Sequence, residues 1–250
     1  MTLVNLYLMN NGILLKKTDI LHKFYLLKLL TGIVDNPFLA SSVYFKGGTC
    51  ATMLGFLDRF SVDLDFDLKP DSKKEKVREI LAKVFEDLGF KIIEENKKVL
   101  FFNLKYDAPL DQRSTLKVSI YDEIVRSNVY KPFMLPVIGR LVNCQTIETM
   151  FANKLVAPMD RYNRHEKIAG RDIYDIHYFF SKGYKFREEI VKERTGLNTD
   201  DYVRKLIKFI EEKVTEKILT EDLNALLPYD KFQKIRKTLK AETLLFLKSL

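Results

Sequence analysis

Cysteine is almost missing from this 250-residue chain: only Cys50 and Cys144 occur, far apart and outside any metal-ligand spacing. That argues against a disulfide scaffold or a zinc site, and makes a reducing cytoplasm the expected location. Histidine is nearly as scarce, with His22, His165 and His177 alone. His22 and His177 sit in apolar helical patterns and read as packed side chains, and His165 reads as exposed. No Ser-His-Asp or Cys-His set suggests itself. No apolar run approaches the roughly 18 residues needed to cross a bilayer, so no membrane partner is expected. The opening MTLVNLYLMNNGILLKK lacks a basic n-region and is interrupted by Asn, unlike a secretory signal. Internal repeats and low-complexity linkers are also lacking. What remains is ordinary globular composition, 46% hydrophobic and 30% charged, with length for one large domain or two small ones.

The charge balance is basic: 42 Lys and Arg against 34 Asp and Glu, +8 overall. That is a weak pointer to an acidic partner. The excess is local near the end, where Lys231, Lys234, Arg236, Lys237 and Lys240 face only Asp230 between residues 229 and 240. A solvated helix face and a nucleic-acid contact explain it equally well.

Hydrophobic spacing divides the chain near residue 145 into a mixed α/β part (1–145) and a helical part (146–250). Asn11-Gly12 suits the turn of a short hairpin from Leu3 to Leu15. Thr18 reads as the N-cap of a helix that ends at Asp35-Asn36-Pro37. Val43-Tyr44-Phe45 is a short β-rich run that stops at Lys46-Gly47-Gly48-Thr49, and Cys50 to Phe60 reads as a helix. Residues 61–68 alternate strictly, with Val62, Leu64, Phe66 and Leu68 on one face and Ser61, Asp63, Asp65 and Asp67 on the other. A charged amphipathic helix follows over about 72–88, then strand-like runs over 90–94, 99–106 and 115–121. Helices are expected over 147–158, 172–181, 186–194, 199–219, 220–227 and 229–250.

Two features carry chemistry. Residues i and i+2 of a strand point the same way, about 6.5–7 Å apart at Cα. Asp63 and Asp65 can therefore converge on a hard divalent cation, Mg²⁺ or Mn²⁺, that also takes phosphate oxygens. Gly47-Gly48-Thr49 precedes a helix, and glycine lets backbone N–H groups approach a phosphate. Alone it is often just a turn. Beside the Asp-x-Asp strand it forms minimal equipment for phosphoryl or nucleotidyl transfer.

Lys46-Gly47-Gly48-Thr49 followed by Arg59-Phe60-Ser61-x-Asp63-Leu64-Asp65-Phe66 resembles the signature of the AbiEii/AbiGii toxin family, an abortive-infection branch of the DNA-polymerase-β-like nucleotidyltransferases. Glu148, Lys154 and Arg171-Asp172-Ile173-Tyr174-Asp175 resemble that family's second block. The resemblance spans roughly residues 20–180. It implies an α+β fold: a polymerase-β-like core of mixed sheet and flanking helices, followed by a C-terminal helical domain that completes the active-site cleft. It implies transfer of a nucleoside monophosphate from an NTP to an acceptor, an RNA such as tRNA, by the toxin of a type IV-like toxin–antitoxin pair. A cognate antitoxin would be the protein partner.

Within that resemblance Asp63 and Asp65 would hold Mg²⁺, and Lys46, Gly47, Gly48, Thr49, Ser61 and Arg171 would bind the nucleotide. Lys117 and Lys154 would neutralise the triphosphate, and Asp172 or Asp175 would orient the acceptor or act as base. Lys154 also reads as an ordinary snorkelling surface lysine whose loss would cost little stability. Asp172 also suits a helix N-terminus, and it shares a helix face with Asp175. One departure stands out. Where the family tends to place a third acid, after Lys117 on a neighbouring strand, this chain has Ser119, with Asp122 just beyond on the opposite parity. Two aspartates would then serve a single metal, or Asp122 would move in. A small-molecule nucleotidyltransferase and a catalytically silent nucleic-acid-binding module are the alternative readings.

Overall fold

The computed structural model describes residues 17–250, so the expected hairpin at 3–15 lies outside the described residues. The fold is mixed α+β, with a seven-stranded sheet, flanking helices and C-terminal helices. The chain forms two compact units. One comprises residues up to Ile124 together with Tyr130–Gln145. The other comprises Val125–Val129 and Thr146–Leu250.

The first unit begins with helix α1 (Lys17–Asp35), in which Thr18 is already helical, and α2 (Pro37–Ser42). Asn36 and Pro37, read from sequence as a stop, also start α2. Asn36 accepts from the Leu39 amide at 3.0 Å, and Pro37 takes the first turn, where its missing N–H costs nothing. Strand β1 (Val43–Lys46) runs into α3 (Gly47–Met53), then β2 (Leu64–Leu68), α4 (Lys74–Asp87), β3 (Lys91–Asn96), β4 (Leu100–Lys105) and β5 (Thr115–Tyr121). The unit closes with β6 (Tyr130–Leu135) and β7 (Arg140–Gln145). The sheet order is β3-β4-β5-β2-β1-β7-β6, with β2 parallel to β5, β1 parallel to β7 and the other pairs antiparallel.

Sequence periodicity missed the β6–β7 hairpin because Pro132 sits inside β6. Proline is tolerated there because β6 is an edge strand. One sheet face is apolar: Phe45, Leu64, Phe66, Phe102, Val118 and Ile120 are buried on it. Phe85 of α4 meets Phe102 edge-on, with 5.1 Å between centroids. Each of these side chains adds about 1.5–3 kcal/mol by leaving water, which anchors the sheet and fixes its register. The opposite face carries Lys46, Asp65, Asp67, Lys117 and Ser119 by alternation along the strands.

The second unit is helical: α5 (Ile147–His165), α6 (Gly170–Ser181), α7 (Glu188–Thr195), α8 (Thr199–Lys213), α9 (Glu216–Leu223), α10 (Tyr229–Ile235) and α11 (Leu239–Lys248). It takes in Val125–Val129 because backbone bonds hold that segment there. Thr146 N donates to Val129 O at 3.0 Å, and the Glu193 carboxylate accepts from the Arg126 and Ser127 amides. Helix α5 continues through Pro158, where a stop was expected, so Arg161, Arg164 and His165 are helical. The expected 199–219 helix breaks at Val214, and Thr215 caps α9 by accepting from the Ile218 amide. The expected 229–250 helix is likewise two helices. At the start of α6 a methyl on Gly170 would lie 2.9 Å from Leu219 Cα and 3.0 Å from Ile218 O, so only glycine lets α6 and α9 meet there. Asp222 of α9 accepts from the Arg171 amide at 2.9 Å, satisfying one open amide of that first turn.

Candidate active site

In the first unit the site is built from the turn between β1 and α3 and from the segment leading into β2. Asp63 precedes the strand and Asp65 lies within it; both are half-buried. Gly47 has a positive φ of 80°, and a methyl on it would lie 2.7 Å from Asp65 Oδ2. A methyl on Gly48 would lie 2.8 Å from Arg59 Nη2 and 3.0 Å from Ser61 Oγ. Gly47 is thus required by its positive φ and by its approach to the Asp65 carboxylate, whereas a side chain at Gly48 would have to displace the ends of the Arg59 and Ser61 side chains.

Thr49 is buried, and its hydroxyl donates to Asp63 O at 2.5 Å while lying 3.0 Å from Ser61 Oγ. It therefore fixes the backbone that presents Asp63. Arg59 is buried too. Its Nη1 donates to Phe60 O, and its carbonyl accepts from Thr52 of α3. The motif residues spread over 46–66 meet in one place, tied by side-chain bonds to main-chain carbonyls. His22 joins them from α1. Its ring Nε2 lies 2.9 Å from Val62 O, which can only accept, so that nitrogen carries the proton and Nδ1 faces the Tyr106 hydroxyl at 2.7 Å. Burial pushes the His22 pKa down to about 4, outweighing the Val62 bond that favours the charged ring, and Arg113 adds to the depression.

Asp65 pairs in register with Lys46 of β1 on one side and Ser119 of β5 on the other. Ser119 therefore stands directly beside Asp65, where a third acid would be expected. Asp122, the other candidate, is paired with Lys74 of α4 at 2.5 Å. Among the described residues no group of three or more His, Cys, Asp or Glu side chains is placed to hold a metal. Asp63 and Asp65 offer only carboxylate oxygens, a donor set that fits Mg²⁺ or Mn²⁺ when phosphate oxygens complete the shell. Lys117 is exposed and precedes the Leu64–Val118 pair on β5, as Asp63 precedes it on β2. Sequence reasoning placed Asp67 on this face without a role. The structure buries it among Lys46, Tyr130 and Gln145.

The second unit carries its own charged cluster. Lys154 Nζ lies 3.1 Å from Asp172 Oδ1 and 2.8 Å from Asp175 Oδ2, and Arg161 Nε lies 3.1 Å from Asp172 Oδ2. Both carboxylates have no exposed side-chain surface, whereas the Lys154 side chain is 20% exposed. Burial alone would raise the Asp172 carboxyl, but Lys154, Arg161 and Arg171 together hold it at about 2. A carboxylate held so low is a weak proton acceptor at neutral pH. Asp172 is not the N-cap of α6; that position is Ala169. Arg161 was missed as a member of this cluster because α5 was expected to end at Pro158. The i, i+7 spacing of Lys154 and Arg161 on one helix face was the available signal.

The basic segment near the C-terminus is partly occupied. Lys240 donates to Glu211 O and Val214 O at the end of α8, and Lys231 lies over the Tyr174 and Tyr178 rings at 5.6 and 5.4 Å. Lys234 and Lys237 are exposed.

The family model described as nucleotidyl transferase AbiEii toxin, type IV TA system, matches residues 28–240. The chain belongs to that family and is a nucleotidyltransferase. No curated protein matches it. Among solved structures it is similar to MenT4, a nucleotidyltransferase toxin from Mycobacterium tuberculosis H37Rv. That match has a TM-score of 0.57 and 17% identity and covers 100% of this chain and 90% of MenT4. It is also similar to JHP933 from Helicobacter pylori, with a TM-score of 0.56, 21% identity and 94% of each chain covered. No helix among the described residues is long and apolar enough to cross a membrane.

Two predictions arise from this geometry. Gly47→Ala must strain a left-handed backbone and push against Asp65. It is expected to cost about 1–3 kcal/mol in denaturant melts and to reduce nucleotide transfer further than that loss explains. The second concerns acid. The unfolded chain protonates His22 near 6.5, but the folded chain does so only near 4, so stability from neutral His22 is complete above pH 6.5 and is lost as pH falls from 6.5 toward 4. Asp172, lowered from 3.8 to about 2, extends the loss from pH 4 toward 2. Thermal melts across pH should show both limbs, and Asp172→Asn should flatten the lower one.

Proposed function

We propose that this nucleotidyltransferase moves a nucleoside monophosphate from an NTP to an RNA acceptor, a tRNA, and releases pyrophosphate. It would act in the cytoplasm as the toxin of a type IV-like toxin–antitoxin pair, restrained by a cognate antitoxin protein. The observation that supports the chemistry most is the approach of Gly47 to the Asp65 carboxylate, with Asp63 fixed two residues earlier through Thr49.

Asp63 and Asp65 would hold Mg²⁺ or Mn²⁺. The ion, when bound, supplies positive charge to the phosphate oxygens and lowers the cost of charge build-up in transfer. The chain's own residues do the rest. Gly47 and Gly48 leave room for phosphates beside the carboxylates, with Ser61 and Thr49 shaping that turn. Lys46, Lys117 and Lys154 supply charge to the triphosphate, and Arg171 adds to it. Asp172 and Asp175, which have no surface of their own, act by holding the Lys154 ammonium. The net positive charge and the exposed Lys234 and Lys237 favour an RNA acceptor over a small neutral one.

Incubation with total RNA, Mg²⁺ and each labelled NTP, in parallel with a panel of small polar alcohols and amines, tests the acceptor. Label in tRNA is the expected result. Label confined to a small molecule would overturn the RNA acceptor and keep the chemistry.

A further inference from the structure

Asp67 shares the parity of Asp63 and Asp65 but not their situation. It is 1% exposed, and both of its oxygens are engaged. Oδ1 accepts from Lys46 Nζ at 2.5 Å, and Oδ2 accepts from the Tyr130 hydroxyl at 2.7 Å and from Gln145 Nε2 at 3.0 Å. A carboxylate bound by one cation and two neutral donors has little capacity left for a metal ion. Its partners come from β1, β6 and β7, so it is fixed by three other strands of the sheet. The Tyr130 ring is itself held, stacked 3.8 Å from Tyr44, and Tyr44 is the register partner of Asp67.

The consequence falls on Lys46. Its Cα pairs with that of Asp65, its ammonium is pinned by Asp67, and that ammonium lies 4.1 Å from the Tyr121 ring centroid. The side chain keeps 20% of its surface exposed. A lysine in water samples many rotamers and loses them on binding an anion; one held in advance loses far fewer. We propose that Asp67 is a positioning residue that pre-sets the ammonium of Lys46, the strand partner of Asp65, for the phosphates of the bound NTP, with Tyr130 and Gln145 aiming Asp67. This rests on the nucleotidyl-transfer reading above.

The test is a double-mutant cycle of wild type, Asp67→Asn, Lys46→Met and the double variant. Equilibrium binding of NTP in Mg²⁺, steady-state transfer and thermal melting are measured on each full-length protein. Asp67→Asn and Lys46→Met should each weaken NTP binding and raise KM by about tenfold, with kcat changing less. The double variant should bind no worse than Lys46→Met alone, because Asp67 acts through Lys46. Unchanged NTP binding in Asp67→Asn with a lowered melting temperature would make the pair purely structural and overturn the proposal, as would fully additive losses. If Asp67→Asn fails to fold, Tyr130→Phe keeps the ring stack and removes one donor. It should weaken NTP binding about threefold, and no change would overturn the proposal. Wild type that binds NTP but transfers no label defeats the transfer reading alone. Wild type that binds no NTP defeats both.

Discussion

Asp63→Ala and Asp65→Ala are each expected to fold normally and to transfer no measurable nucleotide. The two half-buried carboxylates leave Ser119 as the neighbour in register with Asp65 and Asp122 bound to Lys74, so no further acid is placed to compensate among the described residues. Losing one electrostatic partner of a transition state typically costs about 10²–10³ in rate. Here it would also remove half of the carboxylate set proposed for the metal, so turnover should fall at least that far. Stability should change by no more than about 1 kcal/mol, because truncation relieves repulsion between like charges. Chelation by EDTA should silence the wild type, and Mg²⁺ or Mn²⁺ should restore it. Full turnover in either variant would remove the pair from the site.

Lys154→Ala is expected to lose both stability and turnover. The sequence suggests a snorkelling lysine whose truncation is cheap, but the structure places Lys154 between two carboxylates with no exposed surface. Breaking a buried ion pair typically costs about 3–5 kcal/mol, and Arg161, still 3.1 Å from Asp172, should hold the loss toward or below the lower end. Activity alone therefore cannot report the role of Lys154. A triple variant separates the two effects. Lys154→Ala with Asp172→Asn and Asp175→Asn removes the stranded charges and should recover a large part of the melting temperature. Turnover should stay down by about 10²–10³, because the proposed phosphate cation is still missing. Turnover that recovers with stability would make Lys154 a packing residue.

The site was legible where chemistry is local in sequence. The Gly47-Gly48 turn and the two-residue spacing of Asp63 and Asp65 need no tertiary information. The strand was read too long, because alternation continues through Ser61 and Val62 after pairing has stopped; those residues answer to Thr49 and His22 instead. What could not be read were contacts between segments distant in the chain. Asp67 resembles another solvent-facing acid until Tyr130 and Gln145 arrive from a hairpin that Pro132 had concealed. Likewise Pro158 argued for a helix end, and tertiary packing overrode it. Tyr202 donates to Leu155 O at 2.9 Å, next to Lys154, the residue whose carbonyl loses its helical donor to Pro158. Because the helix continues, Arg161 reaches Asp172.

In nucleotidyl transfer the β- and γ-phosphates leave while the nucleotide is passed to the acceptor. Parallel incubations with NTP labelled at the α-phosphate or at the γ-phosphate, in Mg²⁺ with total RNA, test it most directly. The expected result is α-label in the acceptor and γ-label released in pyrophosphate. Transfer of the γ-label to the acceptor would make the enzyme a phosphotransferase and contradict the account.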